Sequence, residues 1–153
     1  MASQVHIRIV GKKNGRNRWE DDAFTTYEKR LRTSNIAMMT SWHKNDNDLV
    51  KRVEADVAKG YLVVLLDPDG VSMSSEKFCE KLYAWLEEGG SRLVFVIGGA
   101  EGLPTQLRQL WVGRRDCVLS LSQLTFTHQM ARVLLVEQIY RAAEIRKGTG
   151  YHK

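Results

Sequence analysis

The chain has 153 residues, of which 43% are hydrophobic, and it carries a formal net charge of +5 at pH 7. This length predicts one domain over residues 1–153 with a single hydrophobic core. The longest apolar run, residues 61–66, is far too short to cross a bilayer, so we expect no membrane association through a spanning helix.

The cysteines and the amino end bear on the compartment. Cys79 and Cys117 lack the spacing of a metal site and are expected to be reduced core residues. The amino end has no long apolar segment of the kind that directs secretion. We therefore expect a cytoplasmic protein, or an organellar one if a transit segment is missing from this sequence.

Basic residues are concentrated near the two ends of the chain. Those before Glu20, where no acidic residue occurs, are Arg8, Lys12, Lys13, Arg16 and Arg18. Those near the carboxyl end are Arg132, Arg141, Arg146, Lys147 and Lys153. Such clusters favour a polyanionic partner such as RNA. An ordinary solvated surface explains the same charges, and on charge alone it is the more frequent explanation.

The first half of the chain alternates strands and helices. The predicted elements are a strand over residues 5–10, a basic loop over 11–17, a helix over 19–31, a strand over 36–42 and a helix that stops at Gly60. Asp46 or Asp48 is expected to cap this last helix, which would carry Leu49, Val53 and Val57 on one face.

The alternation continues through the second half. The predicted elements are strands over residues 61–66, 93–97 and 117–121, and helices that run from Ser74 or Ser75 to Gly89, from Pro104 to Leu110 and from His128 to Lys147. Asp67-Pro68-Asp69-Gly70 is typical of a turn and is expected to close the strand before it. This alternation predicts an α/β fold, with a mostly parallel sheet and helices on both faces.

The last helix is apolar almost all round in its first half. Its apolar residues there are Met130, Ala131, Val133, Leu134, Leu135, Val136, Ile139 and Tyr140. A surface helix needs only one apolar stripe, so we expect the excess to pack against a second copy of the chain in a homodimer. A helix deeply buried in a monomer is the alternative.

Two small-residue loops each follow a predicted strand. Residues 98–102, Gly-Gly-Ala-Glu-Gly, have neither the glycine spacing of the dinucleotide fingerprint nor the lysine of a P-loop, which disfavours ordinary NAD and ATP binding. Residues 120–127 contain no charge and can offer backbone groups to an uncharged ring such as adenine. Each has a plainer interpretation, a tight turn for the first and a helix lead-in with Thr125 or Thr127 as N-cap for the second.

These segments together resemble one known family. The sequences at residues 97–102, 119–122, 125–129, 132–142 and 151–153 are similar to those of the RlmH family, which are SPOUT-class methyltransferases acting on a pseudouridine of large-subunit (23S-type) ribosomal RNA. The amino-terminal half agrees more loosely. The resemblance implies a carboxyl-terminal trefoil knot, a homodimer, and S-adenosylmethionine as cofactor. It implies cofactor contacts at Leu66, Gly99, Ser122, Gln123, Leu124, Thr125, Phe126 and Thr127.

The resemblance also implies a chemistry for the carboxyl end. The acceptor would be N3 of a pseudouridine in ribosomal RNA, free or in the assembled ribosome, and His152 is our first candidate for the group that accepts its proton. Tyr151 would stack on or position the base, while Arg132 and Arg141 would hold phosphate or a developing anionic oxygen. The tail of one chain is expected to complete the pocket of the other. Relatives often have proline at positions 100 and 127, where this chain has alanine and threonine.

Two other functions stay open from the residues themselves. One is a non-catalytic RNA-binding module of the same fold, using the basic amino end and tail. The other is a nucleotide-dependent enzyme of Rossmann type, which the wrong-spaced glycines weaken. We find no serine or cysteine nucleophile with its histidine and no metal-ligand spacing in the sequence.

Overall fold

The computed structural model describes residues 2–12 and 18–153. The basic loop predicted over 11–17 therefore lies mostly outside the described residues. The strands are β1 (Ser3–Val10), β2 (Ile36–His43), β3 (Leu62–Ser72), β4 (Arg92–Ile97) and β5 (Val118–Ser120). The helices are α1 (Trp19–Leu31), α2 (Asp46–Ala58), α3 (Ser75–Glu88), α4 (Thr105–Leu110) and α5 (His128–Lys147), with single 3-10 turns at Arg32–Ser34 and Arg115–Cys117.

The described strands form one parallel sheet in the order β2-β1-β4-β3-β5. In the middle of the sheet, Ile7 of β1 pairs with Thr40 of β2 on one side and with Phe95 of β4 on the other. Helices connect successive strands, as parallel strands require. The predicted α/β class is confirmed, while the knot stays a prediction.

Helices cover both faces of the sheet because side chains alternate along each strand. Val5, Ile7 and Ile9 of β1 point to the face that α1, α3 and α5 cover, and all three are fully buried. Val94 and Val96 of β4 point to the opposite face, where they pack in one cluster with residues of α2 and α4. The helices on both faces were predicted correctly.

The turn predicted after residue 66 is wrong in one respect. β3 does not end there but continues to Ser72. Leu66 and Val71 both pair with Leu119 of β5, so the four residues between them project from the sheet as a bulge. The turn-forming residues Asp67-Pro68-Asp69-Gly70 make this bulge, and the strand resumes because its far side still pairs with β5.

Two details of α2 differ from the prediction. Asn45 caps the helix, and its side chain accepts a hydrogen bond from the Asp48 amide at 2.9 Å, so neither Asp46 nor Asp48 is the cap. Asn45 fits the role because its backbone is extended, as an N-cap requires. Val57 is half-exposed, because the helix ends beside a groove that leaves its last turn uncovered.

Helix α5 packs against α1 and α3, and its deepest side chains include Leu135, Val136 and Ile139. Met130, Val133 and Leu134 are only half-buried within the single chain. The apolar excess of the first half is therefore not fully enclosed by the protein's own sheet. None of the helices in the described ranges is long and apolar enough to cross a membrane.

Candidate functional site

A cavity of about 310 Å³ lies at the carboxyl ends of three neighbouring strands, β4, β3 and β5. Three segments line it: residues 66–68 after the buried part of β3, residues 97–103 after β4, and residues 121–126 after β5. Arg108, His128 and Ala131 complete the wall. Clefts at this edge of a parallel sheet are where α/β proteins bind ligands.

The segment after β4 is a tight turn that only glycine fits. The Gly102 amide donates a hydrogen bond to the Gly99 carbonyl at 2.9 Å, and Gly102 has a left-handed φ of 86°. A Cβ on Gly98 would lie 2.3 Å from the Gly102 carbonyl carbon. The backbone is therefore bare at the three glycines that border the cavity, and a ligand can approach it closely there.

An ion pair that the sequence analysis did not find joins two of the lining segments. Asp67 begins the bulge of β3, is almost fully buried, and pairs with Arg108 of α4 at 3.1 Å. Its other carboxylate oxygen accepts a hydrogen bond from the Asp69 amide at 2.9 Å. The guanidinium also lies near Gly102, 3.3 Å from the position of a Cβ there. The turn chemistry at residues 67–70 marked this region, but nothing local pointed to Arg108.

The segment after β5 is held by its own serines. Ser120 donates a hydrogen bond from Oγ to the Ser122 carbonyl at 3.1 Å, and Oγ of Ser122 accepts one from the Leu124 amide at 3.0 Å. Thr127 ends the segment by capping α5, with its Oγ1 accepting from the Met130 amide at 3.2 Å. Leu124 is left 71% exposed although it lines the cavity, so an apolar side chain stands free at the edge of the site.

The cavity brings together most of the residues expected to contact a cofactor. Those that line it are Leu66, Gly99, Ser122, Leu124, Thr125 and Phe126. Gln123 and Thr127 do not line it; Gln123 is exposed, and Thr127 is used by the helix cap. His128, the first residue of the last predicted helix, also lines the cavity.

The residues expected to carry the chemistry at the tail form a separate cluster. Arg141 pairs with Glu137 at 2.6 Å, and Oη of Tyr151 donates to the same carboxylate oxygen at 3.3 Å. The Arg141 guanidinium also lies 4.9 Å from the centre of the Tyr151 ring and 3.1 Å, through Nη1, from Nδ1 of His152. Nε2 of His152 pairs with Glu76 of α3.

Electrostatics in this tail cluster follow from its pairing. Burial, and then the Glu137 charge, raise the pKa of Tyr151 to about 12, so its hydroxyl keeps its proton. The hydrogen bond from His152 lowers the pKa of Glu76. Since the Arg141 guanidinium can only donate, Nδ1 of His152 is the acceptor and its Nε2 faces Glu76 with a proton. The imidazole is thus held by one cation and one anion.

The tail cluster and the cavity lie at opposite ends of α5. His128 begins the helix beside the cavity and Arg141 is thirteen residues further on. At 1.5 Å per residue the two are about 20 Å apart along the axis. Within one chain, therefore, the structure does not bring His152 and Tyr151 to the cavity.

Arg132 lies in neither place. Its guanidinium is 3.9 Å from the centre of the Phe24 ring, donates to Asp21 at 2.9 Å and to Thr40 at 3.2 Å, and is almost fully buried. Burial lowers its pKa. This side chain joins α5 to α1 and β2, so in the single chain its donors face protein groups. Among the residues that the structure describes, no group of three or more histidine, cysteine or acidic side chains is placed to hold a metal ion.

Comparison with known proteins gives one family. Residues 3–152 match the model described as a predicted SPOUT methyltransferase. Among curated relatives, a protein of Protochlamydia amoebophila called ribosomal RNA large subunit methyltransferase H is 43% identical over 97% of this chain and 99% of its own length. The protein with the same name in Prochlorococcus marinus strain SARG is 36% identical over 100% and 99%.

Solved structures give a more distant likeness. One is a Legionella pneumophila protein described as a methyltransferase in complex with bound SAM, at 13% identity and a TM-score of 0.49, covering 92% of this chain and 66% of that one. Another is the SpoU methyltransferase AviRb of Streptomyces viridochromogenes in complex with AdoMet, at 12% identity and a TM-score of 0.49, covering 97% and 60%. Each is a longer chain, of which this one spans less than two thirds.

Proposed function

The chain belongs to the SPOUT methyltransferase family, and from this premise we propose that it transfers a methyl group from S-adenosylmethionine to large-subunit ribosomal RNA. The curated relatives named for this activity align over nearly all of both chains. The observation that carries the proposal in the structure is the cavity at the ends of β3, β4 and β5, lined by glycine-rich backbone and apolar side chains together with the charged Asp67, Glu101 and Arg108.

The residues around this cavity fit the cofactor. Its apolar walls, Leu66, Ile97 and Leu121, suit an adenine ring, and the bare turn at residues 98–102 leaves room for a close backbone approach. The carboxylate of Glu101 lines the cavity and suits a cationic ligand. S-adenosylmethionine supplies a methyl group on a positively charged sulfur. The protein's own task is to hold donor and acceptor in line and to exclude water.

We take the acceptor to be N3 of a pseudouridine, which carries a proton that must leave. His152 would accept this proton through a ring nitrogen, and the electron pair left on N3 would be free to bond to the methyl carbon, with the electrons of the carbon–sulfur bond leaving on sulfur. Arg141 faces Nδ1 of His152, so its movement toward the substrate oxygen would free that nitrogen as the acceptor. Tyr151, uncharged at neutral pH, lies beside Arg141, and we assign it to pack on the base.

These roles require a homodimer. Because the tail cluster is about 20 Å along α5 from its own cavity, His152 of the partner subunit has to reach the cavity instead. Half-buried Met130, Val133 and Leu134 on α5 support a second chain packing along this helix. We also propose that the chain is one domain with a carboxyl-terminal knot, and that it works in the cytoplasm, where its ribosomes are.

The test is methyl transfer from labelled cofactor to ribosomes that lack the modification, with the product nucleoside identified by mass spectrometry. We expect N3-methylpseudouridine in large-subunit RNA. No incorporation by the pure dimer would overturn the proposal. Calorimetry with S-adenosylmethionine adds a second criterion, because a non-catalytic RNA-binding module of this fold has no need to bind it.

A further inference from the structure

His128 is a cavity-lining side chain for which the proposed function has no role. It is the first residue of α5 and lines the cavity together with Ala131, one turn further along the helix. Its imidazole is half-buried. Among the hydrogen bonds within residues 2–12 and 18–153 neither ring nitrogen has a protein partner, and neither is fully buried, so a ligand in the cavity can still reach the ring.

The imidazole is held against the end of β1. Nε2 of His128 lies 3.1 Å from the point that a Cβ on Gly11 would occupy, and Trp42 of β2 lies 3.6 Å from the same point. Any larger residue at position 11 would press on the ring. Glycine at position 11 therefore leaves room for the imidazole, which packs close to the end of β1 and to Trp42.

This position is on the opposite side of the cavity from the bulge of β3. The three backbone segments of the cavity follow β4, β3 and β5, whereas β1 lies beyond β4 in the sheet. His128 thus borders the cavity on the β1 side. Lys12 and Arg18, at the two ends of the segment that follows β1, are both exposed. Lys12 directly follows the glycine that contacts His128, and its positive charge favours the approach of RNA on this side. We therefore take the acceptor, rather than the adenosine, to lie beside the imidazole.

We propose that His128 donates a hydrogen bond to a carbonyl oxygen of the acceptor pyrimidine. This inference rests on the proposed function and adds a substrate contact to it. When N3 of such a base loses its proton, negative charge spreads to the two adjacent carbonyl oxygens. A donor fixed in advance at one of them stabilises that charge most as the reaction proceeds. His128 keeps its own proton, and the N3 proton still goes to His152 of the partner subunit.

The experiment compares the wild-type dimer with His128→Ala, His128→Asn and, as control, Gln129→Ala, whose neighbouring side chain does not line the cavity. We measure kcat and KM for methyl transfer to unmodified ribosomes, and Kd for S-adenosylmethionine by calorimetry. His128→Ala should lower kcat about 100-fold, the size of effect found on removing one such donor. Its Kd should stay within twofold of wild type. His128→Asn, whose amide can donate, should recover part of the loss.

Three results would overturn the inference. One is a His128→Ala variant with wild-type kcat. Another is a kcat loss matched by an equal loss of cofactor affinity, since this assigns His128 to the cofactor. Equal losses in the alanine and asparagine variants, with both melting as wild type does, would also remove the donor role. An inactive wild-type dimer instead defeats the proposed function itself, so the two failures are distinguishable.

Discussion

Nε of Arg108 lies 3.1 Å from Oδ2 of Asp67, which ties α4 to the bulge of β3. The two residues are unequal partners, because the Asp67 side chain is 8% exposed and that of Arg108 is 46% exposed. Without the guanidinium, the one hydrogen bond that the carboxylate would keep among the described residues is that from the Asp69 amide. The pair therefore holds one wall of the cavity in a shape that the bulge would not keep by itself.

Arg108→Ala should weaken cofactor binding. The variant leaves a nearly buried carboxylate without its cation, and the bulge has to move toward solvent to hydrate it. Because half of the guanidinium is exposed, we expect a loss of about 1–2 kcal/mol in unfolding free energy rather than the larger cost of a fully buried pair. Calorimetry should show S-adenosylmethionine affinity about tenfold lower. Gln109→Ala changes an exposed neighbouring residue and is the control. If the Arg108→Ala and Gln109→Ala variants bind S-adenosylmethionine with equal affinity, the ion pair does not shape the cofactor site.

Gly98→Ala should abolish cofactor binding. Its new Cβ would meet the Gly102 carbonyl carbon at 2.3 Å, a backbone atom that cannot turn aside, so the whole turn after β4 must shift. Gly113→Ala is a matched control, because no atom lies within 4 Å of a Cβ there and its φ is not positive. We expect no calorimetric binding in the first variant and wild-type affinity in the second. Binding by Gly98→Ala would mean that the turn is not part of the site.

The sequence could predict those parts of the site that lie directly after a strand in the chain. Residues 98–102 and 121–126 follow strands whose apolar runs are unambiguous, and the carboxyl ends of parallel strands meet at one edge. The pairing of Asp67 with Arg108 could not be predicted from the sequence, because the two residues are forty-one positions apart and meet only where α4 packs beside the bulge of β3. The burial of Arg132 could not be predicted from the sequence for the same reason. A basic residue on a helix usually faces solvent, and only the aromatic ring of Phe24 and the carboxylate of Asp21 explain its burial.

Stability should fall in mild acid because of His6. Burial, and then the Arg8 charge, lower its pKa from 6.5 to about 4. The unfolded chain therefore takes up a proton between pH 6.5 and pH 4 while the folded protein does not, so unfolding free energy rises with pH across that window. Because His6 is only partly buried, solvent screens part of this effect, and we expect a loss of about 1–2 kcal/mol on going from pH 7 to pH 4.

Urea unfolding at pH 7 and at pH 4.5 measures this effect. Oγ of Ser41 lies 2.7 Å from Nε2 of His6, so His6→Gln keeps a polar partner for it without a titrating group. The difference in unfolding free energy between the two pH values should be smaller in His6→Gln than in the wild-type protein. Equal differences would show that groups other than His6 govern the acid sensitivity.

A mixed dimer tests whether the tail acts on the other subunit's cavity. A chain lacking residues 151–153 keeps an intact cavity, whereas Gly98→Ala keeps an intact tail. Neither homodimer should transfer methyl groups, because each lacks one half of the site. A heterodimer of the two contains one complete site, made of the first chain's cavity and the second chain's His152, and should recover about half of the wild-type rate, as one of two sites.

Recovery of activity in the heterodimer would distinguish a tail that acts on the other subunit from a tail that acts within its own chain. If His152 served the cavity of its own subunit, the heterodimer would contain no complete site and would stay inactive at any ratio of the two chains. Purification through two different affinity tags isolates the mixed species, and calorimetry should find one cofactor site per dimer. The contacts of Glu76 and Arg141 with the His152 imidazole would then belong to the subunit that contributes its tail to the other subunit's cavity.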